Sequence, residues 1–133
     1  AFGVAQLERI QYILKRKREI ASLYNSLLKE VKGIVLPPQQ SWAKSVYWLY
    51  SILVPVNLRN YLCKELEKCG IETRPFFIPM HRLPIHRRMV SLPVCEDLSS
   101  RGVSLPCFVQ IKDKQIEYVC SQIKRLLNRK RGK

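Results

Sequence analysis

Apolar residues recur at intervals of three and four along residues 4–31, with polar and charged residues between them. This spacing places the apolar side chains on one stripe of an α-helix. Gly33 favours a left-handed stop, and the two prolines that follow prevent the helix from restarting. The pattern therefore predicts one long N-terminal helix within residues 1–33. We expect its basic block, residues 15–18, to form a solvated face.

Three segments have the composition of β-strands. Residues 46–54 are dense in aromatic and β-branched residues and end before Pro55, which predicts a buried strand in the centre of a sheet. Residues 71–77 predict a second strand that Pro75 interrupts, and residues 103–105 predict a short third strand. Together they are sufficient for one small sheet.

Helices are predicted between and after these strands. Asn57 has the side chain of an N-cap for a helix that ends at Gly70. A short helix over residues 94–100 would end at Gly102. A final helix would begin with Asp113 as its cap.

The order of these elements predicts an α+β fold. In this fold a small three-stranded sheet carries helices on one face, and the long N-terminal helix precedes it. With 133 residues, of which 47% are hydrophobic, the chain fits a single domain, residues 1–133. Its expected parts are the helix of residues 1–33, an α+β core of residues 46–128 and a basic tail of residues 129–133.

The cysteines and the apolar runs limit the class of protein. The five cysteines form no C-x-x-C pair, and their irregular gaps do not fit a zinc site. We expect reduced thiols in the core of a cytoplasmic protein. The longest apolar run, residues 46–56, is shorter than the ~20 residues that a membrane-spanning helix requires. Since the chain begins without methionine inside the amphipathic pattern, we expect further polypeptide upstream.

A cationic loop is the most informative feature of the sequence. Residues 75–93 contain four prolines and two histidines, which favours a stiff, exposed loop. Guanidinium groups bind phosphates in a bidentate way, and histidine donates or accepts near neutral pH. His81 is therefore a candidate to bind a diphosphate or a sugar hydroxyl, and an ordinary solvated loop is the alternative. The arginines in and next to this loop are Arg74, Arg82, Arg87 and Arg88.

Motifs of a complete active site are absent from the sequence. The two histidines lie in one loop, the five glycines are scattered singly, and no G-x-S-x-G turn precedes a helix. The carboxylates of Glu65/Glu67 and Glu96/Asp97 are expected on solvated helix faces. The residues alone therefore predict no self-sufficient catalyst.

The aromatic residues are assigned from their surroundings in the sequence. Trp48 and Tyr50 lie in a predicted strand, and we expect them, like Phe76 and Phe77, to be core residues rather than the wall of a ligand site. Trp42 lies in a polar loop and is the better candidate to line a site.

The formal net charge of +14 raises a second function, nucleic-acid binding, because clustered Lys and Arg displace counterions from phosphates. The basic residues are, however, spread over three separate segments, with no helix-turn-helix, zinc finger or aromatic RNA-binding signature between them. A basic nucleic-acid-binding domain is therefore kept as the less favoured alternative.

Four stretches carry a family resemblance: residues 1–10, 46–54, 70–81 and 94–106. In these stretches the chain resembles the C-terminal part of DegT/StrS-type sugar aminotransferases, and the perosamine synthetases among them most of all. The resemblance implies the C-terminal small domain of the aspartate-aminotransferase architecture, which is fold type I of the pyridoxal-phosphate enzymes. It also implies a homodimer that moves an amino group from glutamate to a keto sugar carried on a nucleotide.

The same resemblance implies that the chemistry is shared with other polypeptide. In that family the Schiff-base lysine and most contacts to pyridoxal phosphate lie in a large domain upstream of this segment, so no lysine of this chain is given a catalytic role. The small domain would then expose the apolar surface that normally packs on the large domain. A catalytically silent remnant that serves as a binding or regulatory module is the alternative.

Site residues are carried over from the family segment that covers the active site, which residues 74–81 match. His81 is the first candidate to contact the sugar or its phosphates. Phe76 and Phe77 would be walls of the sugar pocket, and Arg74 would contact an anion. Arg82 completes the set of expected substrate-binding residues.

Overall fold

The computed structural model describes residues 2–86 and 90–131. Its helices and strands alternate along most of the chain, and the antiparallel pairing of the strands makes it an α+β fold. In chain order they are α1 (Phe2–Glu8), α2 (Ile10–Leu28), β1 (Tyr50–Leu53), α3 (Val56–Lys68), β2 (Arg74–Pro75), α4 (Pro93–Arg101), β3 (Gly102–Leu105) and α5 (Asp113–Arg131). Two short 3-10 turns, Met80–Arg82 and Pro84–His86, lie between β2 and α4.

The sheet has three antiparallel strands in the order β1-β3-β2. The prediction that residues 46–54 form the central strand was wrong, because β3 is central and β1 is only four residues long. Tyr47 has a left-handed φ of 47°, so an extended strand cannot run through it. On the outer side of β1, Val35 and Leu53 exchange two backbone hydrogen bonds of 2.9 Å, which partly cover this edge.

One face of the sheet forms the core. Side chains alternate between the faces of a strand, so Tyr50 and Ile52 of β1 share a face with Val103 and Leu105 of β3. All four are buried, and the ring of Tyr50 stacks on Tyr24 of α2 with centroids 4.6 Å apart. The core includes the fully buried residues Ile20, Leu28, Val54, Leu62, Leu66, Ile116, Ile123 and Leu126.

The N-terminal helix is divided rather than continuous. Arg9, with φ −101° and ψ 3°, separates α1 from α2, and α2 ends at Leu28 instead of near Gly33. Gly33 does adopt the predicted left-handed conformation, with φ 78°. The helix ends early because the chain turns after Leu28 and packs Val31 and Ile34 against the core.

Two predicted N-caps were wrong, while the predicted glycine stop was right. The third helix begins at Val56 behind Pro55, which places Asn57 inside its first turn. Gly70, with φ 73°, follows the end of this helix as expected. Asp113 is the first residue of α5 and not its cap.

The start of α5 is stabilised by hydrogen bonds to the side chains of Gln115 and Asp113. The side-chain oxygen of Gln115 accepts a hydrogen bond from the backbone N–H of Lys112 at 2.9 Å, as in half of a capping box. The carboxylate of Asp113 instead accepts a hydrogen bond from Arg16 of α2 at 2.8 Å. Asp113 therefore joins two helices rather than capping one.

The basic block of α2 is not a solvated face, contrary to the expectation. Arg16 donates to the backbone oxygen of Ile111 at 2.7 Å in addition to its bond to Asp113. Lys17 donates to the backbone oxygens of Trp48 and Cys107 at 3.0 and 2.7 Å. These hydrogen bonds join α2 to the segments that precede β1 and follow β3.

The five cysteines are free thiols. Cys107 and Cys120 are buried, and desolvation raises the pKa of Cys120 to about 12. Cys95 is exposed, so the expectation that all of them are core residues was wrong for this one. Within the described ranges, the helices are all too short or too polar to cross a membrane.

Candidate functional site

His81 and Arg82, which sequence analysis selected, are brought together by a third residue. They lie in the 3-10 turn Met80–Arg82, and both side chains face Glu96 of α4. One carboxylate oxygen of Glu96 lies 2.9 Å from Nε2 of His81. The other accepts a hydrogen bond from Arg82 at 2.6 Å. We call these three residues the His–Glu–Arg cluster.

Glu96 is held in its ionised form. The hydrogen bond from His81 is the main cause of a pKa below the usual glutamate range, and the backbone N–H of Leu92, 3.3 Å away, and Arg82 act in the same direction. Glu96 also lies in the first turn of α4, where the helix dipole favours a negative charge. The expectation that Glu96 lies on a solvated face was therefore wrong. Its place in a helix start just beyond the cationic loop was the only signal in the sequence.

The cluster spans the boundary between core and surface. The His81 side chain is 8% exposed and that of Glu96 is 26% exposed, whereas Arg82 is 60% exposed. A cavity of about 500 Å³ lies beside the cluster and is lined by Arg82, Glu96, Arg59 and Ile78, among others. A buried imidazole held by a carboxylate next to an exposed guanidinium can present two different hydrogen-bonding groups to a ligand.

The two phenylalanines have different environments. Phe76 is half-buried, its backbone N–H donates to the oxygen of Gly102 at 3.1 Å, and its ring occupies the space that a Cβ at Gly102 would need. Phe77 is 78% exposed, and its backbone oxygen accepts a hydrogen bond from Ser99 of α4 at 2.9 Å. Phe76 therefore packs on the sheet, while the ring of Phe77 is open to contact with another surface.

Arg74 is separate from the cluster. It lies in β2 and forms an exposed ion pair with Glu72 at 3.3 Å. It lines a larger cavity of about 670 Å³ together with Trp48, Phe108 and Tyr118. Arg87 and Arg88, the other arginines of the cationic loop, lie outside the described residues.

Trp48 was expected in the core and is instead 71% exposed, since the strand begins only at Tyr50. Tyr50 is fully buried, as predicted. Trp42 is 84% exposed in its loop. Trp48, which its place in the predicted strand assigned to the core, thus lines the 670 Å³ cavity together with Phe108 and Tyr118.

The described part of residues 77–98 exposes many apolar side chains, and we call it the apolar segment. Scattered exposed apolar residues are ordinary, but many in one segment are typical of a surface that another protein or domain covers. This observation agrees with the expected exposed apolar surface. The large exposed residues are Phe77, Ile78, Met80, Ile85, Val90, Leu92, Val94 and Leu98.

Lys17 is the lysine that lines the 670 Å³ cavity, and its amine donates to the backbone oxygens of Trp48 and Cys107. Among residues 2–86 and 90–131, no group of three or more His, Cys, Asp or Glu side chains could hold a metal ion.

The fold defines the class to which this chain belongs. It superposes on the crystal structure of the aminotransferase TlmJ from Streptoalloteichus hindustanus with a TM-score of 0.90 and 27% sequence identity, over 95% of this chain and 35% of that one. The three-stranded sheet with its helices is thus the C-terminal part of a fold type I aminotransferase, as predicted.

Sequence comparison narrows the class to a family. A sequence profile of the DegT/DnrJ/EryC1/StrS aminotransferase family matches residues 1–124, and the chain belongs to this family. It is 37% identical to a GDP-perosamine synthase of Vibrio cholerae over 96% of this chain and 36% of that protein. It is 38% identical to a GDP-perosamine synthase of Escherichia coli O157:H7 over 92% of this chain and 34% of that protein. The chain thus spans about a third of the length of these relatives.

Proposed function

We propose that this chain is the C-terminal part of a pyridoxal-phosphate enzyme that transfers an amino group from glutamate to a nucleotide-linked keto sugar. In this proposal the enzyme is a homodimer in the cytoplasm, and the chain forms one side of the sugar pocket. The lysine that binds the cofactor belongs to polypeptide outside this chain, and pyridoxal phosphate supplies the electron sink when it is bound there.

One observation carries this proposal. The chain is similar to two GDP-perosamine synthases over more than nine-tenths of its own length and only about a third of theirs. The apolar segment supports it, because a small domain that normally packs on a larger one exposes such a surface. The bonds of Lys17 agree with it, because the amine of the lysine that lines the 670 Å³ cavity is already bonded to two backbone oxygens.

The site residues divide the recognition of a nucleotide-linked sugar between them. His81, which is hydrogen-bonded to Glu96, would bind the sugar, and the exposed guanidinium of Arg82 would bind a phosphate. Phe77 would form a wall of the pocket, with Phe76 behind it on the sheet. Arg74, which lines the 670 Å³ cavity, would contact an anion there.

The test compares this 133-residue chain with a version extended upstream through the expected lysine. Each is titrated with pyridoxal phosphate and followed by visible absorption, and each is then assayed with GDP-perosamine and 2-oxoglutarate for formation of glutamate. We expect absorption of lysine-bound cofactor and transamination only in the extended protein. Stoichiometric covalent binding to the short chain would contradict the proposal. An extended frame without the lysine would favour the silent remnant.

The nucleic-acid alternative loses part of its basis. In the basic block, the side chains of Arg16, Lys17 and Arg18 donate hydrogen bonds to backbone oxygens in other segments of the fold. They are therefore less available to neutralise phosphates than the net charge of +14 indicates.

A further inference from the structure

Glu96 connects the two candidate ligand-binding residues to the start of a helix. Its carboxylate receives three hydrogen bonds: from the imidazole of His81, from the guanidinium of Arg82 and from the backbone N–H of Leu92. Leu92 is the residue immediately before α4, and the other two donors lie in the 3-10 turn. The carboxylate cannot rotate without losing at least one of these bonds.

We propose that Glu96 is the positioning residue for His81. Its carboxylate binds the protonated Nε2 of the imidazole and leaves Nδ1 as a hydrogen-bond acceptor for a hydroxyl group of the sugar. The part concerning the sugar rests on the proposed function. The part concerning the imidazole does not.

The direction of the hydrogen bond follows from the chemistry of the two groups. An ionised carboxylate can only accept, so the nitrogen that faces it must carry the proton. A neutral imidazole has one N–H and one lone pair, so a proton on Nε2 leaves the lone pair on Nδ1. The hydrogen bonds to Glu96 lower its pKa and keep it ionised near neutral pH.

The second ring nitrogen is not used by the described part of the fold. Nδ1 of His81 has no hydrogen-bond partner among residues 2–86 and 90–131. The side chain remains 8% exposed, so the described residues do not fully enclose the imidazole.

This arrangement assigns different ligand groups to the two neighbours. Phosphate oxygens are acceptors and need donors, which Arg82 provides and the lone pair of Nδ1 does not. A sugar hydroxyl can donate to Nδ1. Glu96 therefore separates the recognition of hydroxyl and phosphate, whereas the sequence alone left both open for His81.

The first experiment needs no activity. The 133-residue chain is labelled with 15N, and the imidazole nitrogens are assigned by two-bond 1H–15N correlation, with the pH raised until the imidazoles are in their neutral form. We expect the His81 proton on Nε2, an unprotonated Nδ1 and a downfield Nε2–H resonance. Glu96→Ala should remove this resonance by exposing the proton to exchange with water, and Glu96→Gln, which keeps an acceptor oxygen, should retain it.

Glu65→Ala is the matched control for the NMR experiment. The Glu65 side chain is 22% exposed and bonded to Lys68 at 2.6 Å, but it lies in α3 and has no bond to His81. The His81 resonances should not change in this variant. A proton on Nδ1, or a downfield Nε2–H that survives Glu96→Ala, would overturn the inference.

The second experiment uses the extended enzyme and separates the two half-reactions. With GDP-perosamine as substrate, Glu96→Ala and His81→Ala should each lower kcat/KM roughly 10- to 100-fold, the range expected for one hydrogen bond to a charged group. The half-reaction with glutamate should be unaffected. This result would separate the loss of a sugar contact from a general folding defect, which would lower both half-reactions. Glu96→Gln should restore part of the loss.

The double variant Glu96→Ala/His81→Ala decides whether the two residues act as one unit. We expect a loss no larger than that of His81→Ala alone, because residues in one network are not additive. Losses that multiply would contradict the positioning role. If the extended enzyme uses neither GDP-perosamine nor any other nucleotide-linked amino sugar, the proposed function fails, while the NMR result still decides the role of Glu96.

Discussion

Gly102 has no side chain, and the ring of Phe76 occupies the space that a Cβ at this position would need. The φ of Gly102 is −73°, so its backbone would accept any residue, and the requirement for glycine comes from the ring of Phe76, whose atoms lie nearest to a Cβ built at this position. We expect Gly102→Ala to lower the free energy of unfolding by about 1–3 kcal/mol, as overpacking does. The measurement is urea unfolding followed by circular dichroism.

Two further variants isolate the cause of that loss. A Cβ at Gly3 would meet nothing within 4 Å, so Gly3→Ala should not destabilise the chain. In a Phe76→Ala background the cost of Gly102→Ala should shrink, since the clashing ring is gone. An undiminished cost would mean that Phe76 is not the reason for the glycine.

The buried tyrosines predict a loss of stability at alkaline pH. Desolvation raises the pKa values of Tyr24 and Tyr50 far above the tyrosine range, and that of Cys120 to about 12. A raised pKa means that the folded state keeps protons that the unfolded state releases. Stability is therefore fully present below the unfolded pKa values and falls as pH rises, beginning near the thiol value of ~8.5 and steepening near ~10 for the tyrosines.

The alkaline prediction is checked by urea unfolding at several pH values between neutrality and pH ~11. Tyr50→Phe should make the free energy of unfolding fall less steeply with pH, because it removes one buried hydroxyl that is deprotonated only in the unfolded state. Tyr12→Phe, which alters an exposed ring, serves as the control. A decline of the same slope in the Tyr50→Phe variant would contradict the assignment.

At the scale of elements, the helices and strands were predicted in the right order, while their bounds depended on contacts. The helix α3 and its glycine stop follow from local rules that act within a few residues. The shortening of β1 depends on the left-handed Tyr47, a residue type for which sequence gives no reason to expect this conformation. The position of β3 between the other strands is a property of long-range pairing.

The bonds of Lys17 give a prediction at this scale. Lys17→Met keeps the aliphatic stem and removes the donor, leaving the oxygens of Trp48 and Cys107 without this partner. We expect a loss of about 1–3 kcal/mol in the free energy of unfolding. Lys15→Met, on an exposed position of the same helix, should change it by less than about 0.5 kcal/mol. Equal effects of the two variants would mean that the bonds of Lys17 do not stabilise the fold.

At the scale of the whole molecule, the apolar segment predicts that the chain associates with itself in isolation. Ile85 and Val94 are 84% and 72% exposed, so replacing both with serine removes exposed apolar surface without opening the core. We expect the double variant to self-associate less, as measured by sedimentation velocity, with the unfolding free energy changed by less than about 1 kcal/mol. Unchanged self-association would show that the chain does not associate through this surface.

The family and the fold class could both be predicted from the sequence, because they depend on patterns that extend over the whole chain. The apolar periodicity, the prolines and glycines, and residues 70–81 and 94–106 all contribute to that assignment. His81 and Arg82 were found in the same way, since they are adjacent in one loop.

Only the tertiary structure decided which groups face each other. Glu96 lies 15 residues from His81 along the chain, and Lys17 lies 90 residues from Cys107, so no local pattern indicates either contact. The exposure of Trp48 and the stacking of Phe76 on Gly102 likewise depend on where distant segments pack. Local preference is set by neighbours along the chain, whereas burial and hydrogen-bond partners are set by the folded whole.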